Sequence, residues 1–290
     1  MRVLVSTDSS CLVSRTVFDK YDINVFPLNV IIDGEEFLDG VTINQDELKV
    51  AMRSNKVIKT STPPLGDVID YFENLLAKGY DHIIHFTISS KLSSMYELFK
   101  NVAEQHFSGK VTVIDSFSVS TDMLSQVFFA YDEVQKGTAI EDIVKLNKKR
   151  IRNAFFMFIP ENLNALKNGG RISPAVALIG NSIGIKPVIE LKNGALEKKE
   201  MIRNTKRALI DAVAKTLESY PDTDFDFTII SFDAEERTLK YVLDFAQENI
   251  KNSKLITGFL PINVCAHVGP GTIGLVVSPR INGKSLNDFI

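Results

Sequence analysis

The sequence predicts an α/β protein of two domains. The N-terminal domain has a mostly parallel sheet with flanking helices, and the C-terminal one is α+β with a largely antiparallel sheet. Three observations carry this prediction. In the first half, short apolar runs alternate with amphipathic helical stretches, the pattern of βαβ units. Three of those runs stop at turns bearing hydroxyls and Asp, namely Thr7-Asp8-Ser9, Thr87 to Ser90 and Asp115-Ser116. A parallel sheet brings such strand ends to one edge, where open α/β sheets bind ligands. The second half carries a hairpin signal, Lys192-Asn193-Gly194, between two extended stretches. The domains are assigned to residues 1–155 and 156–290.

In chain order, residues 2–6 form a strand and 13–20 a helix. Residues 24–32 read as extended, Asp33-Gly34 as a turn, and 35–38 as a second extended piece. Asn44 has the side-chain oxygen to cap a helix over 45–53. Pro63-Pro64 stop any helix and hold the preceding residues extended, after which Gly66-Asp67 start a helix through 78. The apolar run 83–88 is a buried strand that runs into Ser89-Ser90-Lys91-Leu92-Ser93-Ser94 and a helix over 92–106. A strand at 111–116 and helices at 120–135 and 139–152 complete the first half.

The second half begins with an apolar strand over 153–160 and a short helix over 161–167. Gly169 and Gly170 end that helix and turn the chain sharply into Arg171. A small, apolar helix is expected at 175–185, then the hairpin strands 186–191 and 195–202. A helix over 206–219, a strand over 227–232 and a helix over 234–250 follow, then an apolar stretch at 260–266 and a last strand at 275–278.

Composition excludes several functions. A net charge of −3 argues against nucleic acid and against constitutive attachment to an anionic membrane surface. The apolar core of the N-terminal stretch is too short for a signal peptide, and no segment is long and apolar enough to span a bilayer. Cys11 and Cys265 stand alone, so neither a disulfide scaffold nor a zinc site is indicated. A reduced, cytoplasmic protein without cofactor or metal is expected. Neither a nucleotide-binding glycine loop nor GxxxxGK[ST] is present, and Gly269-x-Gly271-x-x-Gly274 lacks the helix, strand and acidic residue that a dinucleotide fingerprint needs. His82 and His85 lie on opposite faces of one strand and cannot share a metal, His82 being read as a surface residue and His85 as a packed one. His106 falls at a helix end.

The candidate site centres on Ser93. A helix N-terminus offers unpaired N–H groups and a favourable dipole for an anion, although serine in that place is equally an ordinary cap. Thr60, held extended by the prolines, and Arg171, fixed by its double-glycine turn, are further candidates; a surface arginine beyond a helix cap is the alternative. His267 is read as held in a tight turn before Gly269-Pro270-Gly271, able to donate to or pair with a carboxylate or phosphate near neutral pH, or simply packed. Asp8 and Asp115 are read as capping helices or bracing loops.

Five ordered motifs together resemble the DegV family, which includes the fatty-acid-binding subunits of bacterial fatty acid kinase. They are Thr60-Ser61-Thr62-Pro63, Ser89 to Tyr96, Asp115-Ser116, Gly169-Gly170-Arg171-Ile172-Ser173 and Ala266 to Gly271. The resemblance implies a fatty acid between the two domains, its tail in an apolar tunnel. It implies that Thr60, Ser93 and His267 bind the carboxylate, with Ser61, Thr62 and Ser94 as further wall. Arg171 and His267 would support phosphoryl transfer, and Arg203 would meet a partner kinase that holds ATP. The chain itself would then be a lipid-binding subunit feeding acyl phosphate to phospholipid synthesis, not an enzyme in isolation. Family members often carry glycine where this chain has Lys91, and Met95 also departs from their pattern, so acyl preference does not transfer. Two other readings remain: a stand-alone acyl hydrolase using Ser93 and His267, for which the GxSxG elbow is absent, and a lipid sensor without phosphoryl transfer.

Overall fold

The computed structural model describes residues 1–11, 15–172 and 185–290. Ser173 and all but the last residue of the helix expected at 175–185 lie outside the described residues. The first half builds a four-stranded parallel sheet in the order β2-β1-β6-β7, from β1 (Val3–Asp8), β2 (Asn24–Phe26), β6 (His82–Thr87) and β7 (Val111–Asp115). The order reverses between β1 and β6, the place where such sheets usually bind ligands. Here that crevice is closed by the chain itself. Asp8 accepts from Ser10 N at 2.8 Å and, across the crevice, from Ile88 N at 2.7 Å. Asp115 likewise accepts from Ser90 N and Phe117 N. Both carboxylates therefore brace the loops, the structural alternative open in the sequence.

The expected extended run over 24–32 is divided between two sheets. Pro27 has no N–H to continue a ladder; β2 ends before it, and β3 (Asn29–Ile32) starts a separate antiparallel sheet in the order β4-β3-β5. That sheet holds β4 (Glu35–Leu38) and β5 (Ile58–Ser61), with Thr60 paired to Val30. Thr60 thus sits on a strand, not in a loop. α1 (Arg15–Asp19) and α3 (Leu65–Leu76) pack against the parallel sheet, and α2 (Gln45–Arg53) has the expected bounds because Asn44 and Glu47 form a reciprocal capping box.

α4 (Met95–His106) starts three residues later than predicted, and Ser94 at its N-cap makes no side-chain capping bond. Ser93 is nearest to that role, accepting from Met95 N at 3.4 Å. His82 is not a surface residue: it is 8% exposed, within hydrogen-bond reach of the Gly109 carbonyl and the Thr112 hydroxyl. His85 is packed, stacked on Phe99 with ring centroids 4.4 Å apart.

The second half forms a six-stranded sheet in the order β10-β9-β8-β13-β11-β12, antiparallel except between β11 (Phe225–Phe232) and β12 (Ile256–Phe259). The other strands are β8 (Phe155–Ile159), β9 (Lys186–Lys192), β10 (Ala195–Ile202) and β13 (Thr272–Pro279). Successive residues on a strand face opposite sides. Met157 and Ile159 join the core under α8 (Thr205–Ser219) and α9 (Glu236–Asn249), whereas Phe156 and Phe158 pack toward Val30, Leu48 and Val119 of the first half. Both faces of β8 are covered, which explains its uninterrupted apolar sequence.

α5 (Ser120–Gln135) and α6 (Ile140–Arg152) cover the parallel sheet, joined there by Ile281, Leu286 and Phe289 of the C-terminal segment. The tip of the β9–β10 hairpin docks on the strand-end turns: Ser89 Oγ donates to the Gly194 carbonyl at 2.7 Å. Gly194 has a φ of +80°, and a Cβ there would come within 2.8 Å of the Phe117 ring. α7 is shorter and later than expected, Asn164–Asn168. The stretch 260–266 becomes a helix, α10 (Ile262–Val268), started by Pro261 at its N-cap. His267 therefore lies in the last helical turn, with Gly269 (φ +77°) and Gly271 (φ +82°) turning the chain afterwards.

Candidate functional site

A cavity lies where the three sheets meet. Its apolar wall combines Phe156, Phe158 and Ile230 of the six-stranded sheet with Leu28, Ile88 and Val119 of the first half. Thr60, Ser93, Arg171 and His267 all line it, as do Ser61 and Thr62. Ser94 is outside the lining but holds the Thr62 hydroxyl at 2.9 Å.

These polar residues converge on the cavity from distant parts of the chain. Thr60 Oγ1 and His267 Nε2 are 2.8 Å apart. Arg171 Nε donates to the Leu92 carbonyl at 3.2 Å, beside Ser93, and its Nη1 donates to the Gly169 carbonyl. Gly169 lies under the imidazole: a Cβ there would run into His267 Nδ1 and lie 2.9 Å from Cε1. The double glycine thus does more than end α7, because it admits the histidine ring. Ser93 accepts from Met95 N, so the single proton of its hydroxyl remains available for donation.

Burial and, to a lesser degree, the neighbouring Arg171 push the His267 imidazole down to about 4. Burial also lowers the Arg171 guanidinium. The sequence suggested a histidine able to carry charge near neutral pH; in this fold it is neutral there. It acts as a hydrogen-bond partner of Thr60, and its Nδ1 is buried without a partner among the described residues. His267 is also not bonded to Ser93, as a nucleophile–base pair requires, and an imidazole so hard to protonate is a weak general base.

Two contributors were missed in the sequence. Asn263, a lone amide in the apolar stretch 260–266, lines the cavity and donates to Ser10 Oγ at 2.9 Å. Asp39, 1% exposed, accepts from Ser9 Oγ at 3.1 Å and from Asn263 N at 3.2 Å, tying the first sheet to the N-terminus of the helix that carries His267. An isolated polar residue in an apolar run was the only available signal for Asn263; nothing local marked Asp39.

Burial pushes the Asp39 carboxyl up from 3.8 to about 7, and that of Asp8 to about 6. A carboxyl raised in the folded state contributes stability that is fully present below its unfolded value and is lost as pH rises through the folded one. Asp39 and Asp8 therefore pull the melting temperature down between about pH 4 and 7, against the buried His85 and His267, whose lowered values pull it up over the same interval. Asp39→Asn keeps an acceptor oxygen but does not titrate, so between about pH 4 and 7 the melting temperature of wild type should fall relative to that of the variant. Equal slopes for variant and wild type by scanning calorimetry would refute the contribution of Asp39.

Among the described residues, no helix is long and apolar enough to cross a membrane. Arg203 is exposed just before α8 and lines a separate groove with Arg207 and Lys215.

Comparison with known proteins agrees with this architecture. The model of the DegV family of uncharacterised proteins matches residues 2–280. A DegV domain-containing protein of Staphylococcus aureus (strain N315) is 33% identical over 280 residues, covering 94% of this chain and 98% of its own. A Thermus thermophilus structure described as fatty acid binding of a DegV family protein superposes with a TM-score of 0.86 at 25% identity, covering 96% of this chain and 100% of its own. A structure from Eubacterium ventriosum, described as a stearic acid-binding protein, gives 0.85 at 25% identity over 97% and 99% of the two chains. The chain belongs to the DegV family.

Proposed function

We propose that the chain binds one long-chain fatty acid in the cavity and presents its carboxylate to an ATP-dependent kinase in the cytoplasm. The observation that carries this reading is an apolar cavity on which Thr60, Ser93, Arg171 and His267 converge, Thr60 bonded to His267 and Arg171 held beside Ser93 through the Leu92 carbonyl. That distribution fits a ligand with one acidic head and a long tail. The relatives from Thermus thermophilus and Eubacterium ventriosum, described as binding fatty acid and stearic acid, support it.

Burying each methylene contributes about 0.8 kcal/mol, so the tail supplies most of the affinity. The carboxylate stays ionised only if it is hydrogen-bonded and paired. The Thr60 and Ser93 hydroxyls donate to it, and Arg171 balances its charge. In the neutral tautomer with its proton on Nε2, His267 donates to Thr60 Oγ1, which frees the threonine proton for the carboxylate. In transfer, one carboxylate oxygen attacks the γ-phosphorus of ATP held by the partner. The new O–P bond forms as the bond to the ADP oxygen breaks, and no proton moves. Arg171 faces the charge on the transferred group. Exposed Arg203 is assigned to the partner contact.

Native mass spectrometry of protein purified from cells should show a bound fatty acid of defined mass. Adding a fatty acid kinase and ATP should then yield acyl phosphate, with Arg171→Ala impairing transfer more than retention. Protein that takes up no fatty acid refutes the reading; retention without any acyl phosphate leaves a lipid sensor instead.

A further inference from the structure

A second cleft, open to solvent, lies behind the cavity and shares four wall residues with it: Thr60, Arg171, His267 and Val268. The Thr60–His267 pair is thus a partition, apolar on one side and polar on the other. Every charged side chain on the described lining of the cleft is a cation, Lys56, Lys59 or Arg171, and no carboxylate lines it. The uncharged polar lining is dominated by amides, including Asn162 and Asn168.

This composition runs against the chain as a whole, which has 36 acidic residues to 33 basic ones. Another open groove, around α2, carries Glu35, Asp39, Asp46 and Glu47 among its lining. Lys56 pairs with Asp33 at 3.7 Å with both side chains about half exposed, a pair too solvated to neutralise it. Asn162 accepts from Asn164 N at 2.9 Å through its side-chain oxygen, so its NH₂ is the group it can offer an anion. The Gly169 carbonyl, which would repel an anion at the C-terminus of α7, is covered by Arg171. Donors and cations without a competing carboxylate are what a multiply charged oxyanion selects.

We propose that this cleft seats the phosphoryl group of an acyl phosphate, with Lys59, Asn162 and Asn168 as its donors and Arg171 shared with the carboxyl end. The inference rests on the cavity being a fatty acid site. A carboxylate held at the partition has one oxygen toward Ser93 and the other toward the cleft, so a phosphoryl group attached there extends into the cationic side. The seat would hold a labile mixed anhydride after transfer, without demanding that the tail move.

The test compares two ligands by displacement of a fluorescent fatty acid. One is palmitate. The other is 2-oxoheptadecylphosphonate, in which a methylene replaces the bridging oxygen of palmitoyl phosphate. The triple variant Lys59→Gln, Asn162→Ala, Asn168→Ala changes exposed residues only. It should bind palmitate as wild type does and bind the phosphonate at least about tenfold more weakly. Unchanged phosphonate binding, or equal loss of both ligands with an unaltered melting temperature, overturns the seat. Wild-type protein that binds palmitate but not the phosphonate also overturns it and leaves the fatty acid reading standing. Wild-type protein that binds neither overturns the fatty acid reading itself.

Discussion

Gly169→Ala is expected to abolish high-affinity fatty acid binding, although residue 169 carries no side chain that a ligand touches. The added methyl would collide with the His267 ring and come within 3.2 Å of the Ala165 carbonyl, so neither ring nor backbone can give way freely. The imidazole would have to leave Thr60, whose hydroxyl would then lose the partner that orients it. An unmade buried hydrogen bond costs about 1–3 kcal/mol, and the displaced ring would also intrude on the cavity. Gly170→Ala is the matched control. Gly170 has a φ of +69° but open space around its Cα, so that variant should lose only about 1 kcal/mol of stability through backbone strain. Calorimetric titration with palmitate and thermal melts would read both. Binding by Gly169→Ala within threefold of wild type would remove the glycine–histidine contact from the site.

The second large effect belongs to the hydroxyls. Thr60→Val is nearly isosteric and keeps a β-branched residue on β5. Combined with Ser93→Ala it removes both proposed donors to the carboxylate. Each hydrogen bond to a charged group contributes about 1.5–3 kcal/mol, so the double variant should bind palmitate more than about a hundredfold more weakly. Methyl palmitate is the discriminating ligand. It has the same tail without the charge, so wild type should strongly prefer the acid and the double variant should lose most of that preference. A preference that survives the double substitution would place the carboxylate elsewhere.

Both predictions depend on atoms brought together over long distances, and such contacts were the least legible in the sequence. Thr60 and Ser93 were recognisable as hydroxyls beside strand ends, and Arg171 as a side chain fixed by a glycine turn. The sequence did not show that His267 would be neutral, that Gly169 would face its ring, or that Asn263 and Asp39 would tie its helix to the first sheet. The stretch 260–266 illustrates why. Its apolar run suits a strand or a buried helix equally, and packing against Val30, Leu48 and Phe156 accompanies the helical outcome. Likewise 24–32 looks continuous until its two ends are given different partners.

Local stereochemistry was readable without any tertiary information. Asn44 and Glu47 cap α2 at the expected bounds, and the Asp33-Gly34 and Asn193-Gly194 turns take positive φ at both residues, 52° and 91°, then 49° and 80°. Those features depend on hydrogen bonds and steric limits within a few residues. The partition between cavity and cleft depends on Thr60 meeting His267 across 207 positions, on a helix end pressed against a glycine, and on burial that strips a histidine of its charge. Only packing decides these, because desolvation and contact arise from neighbours in space that the residues do not have along the chain.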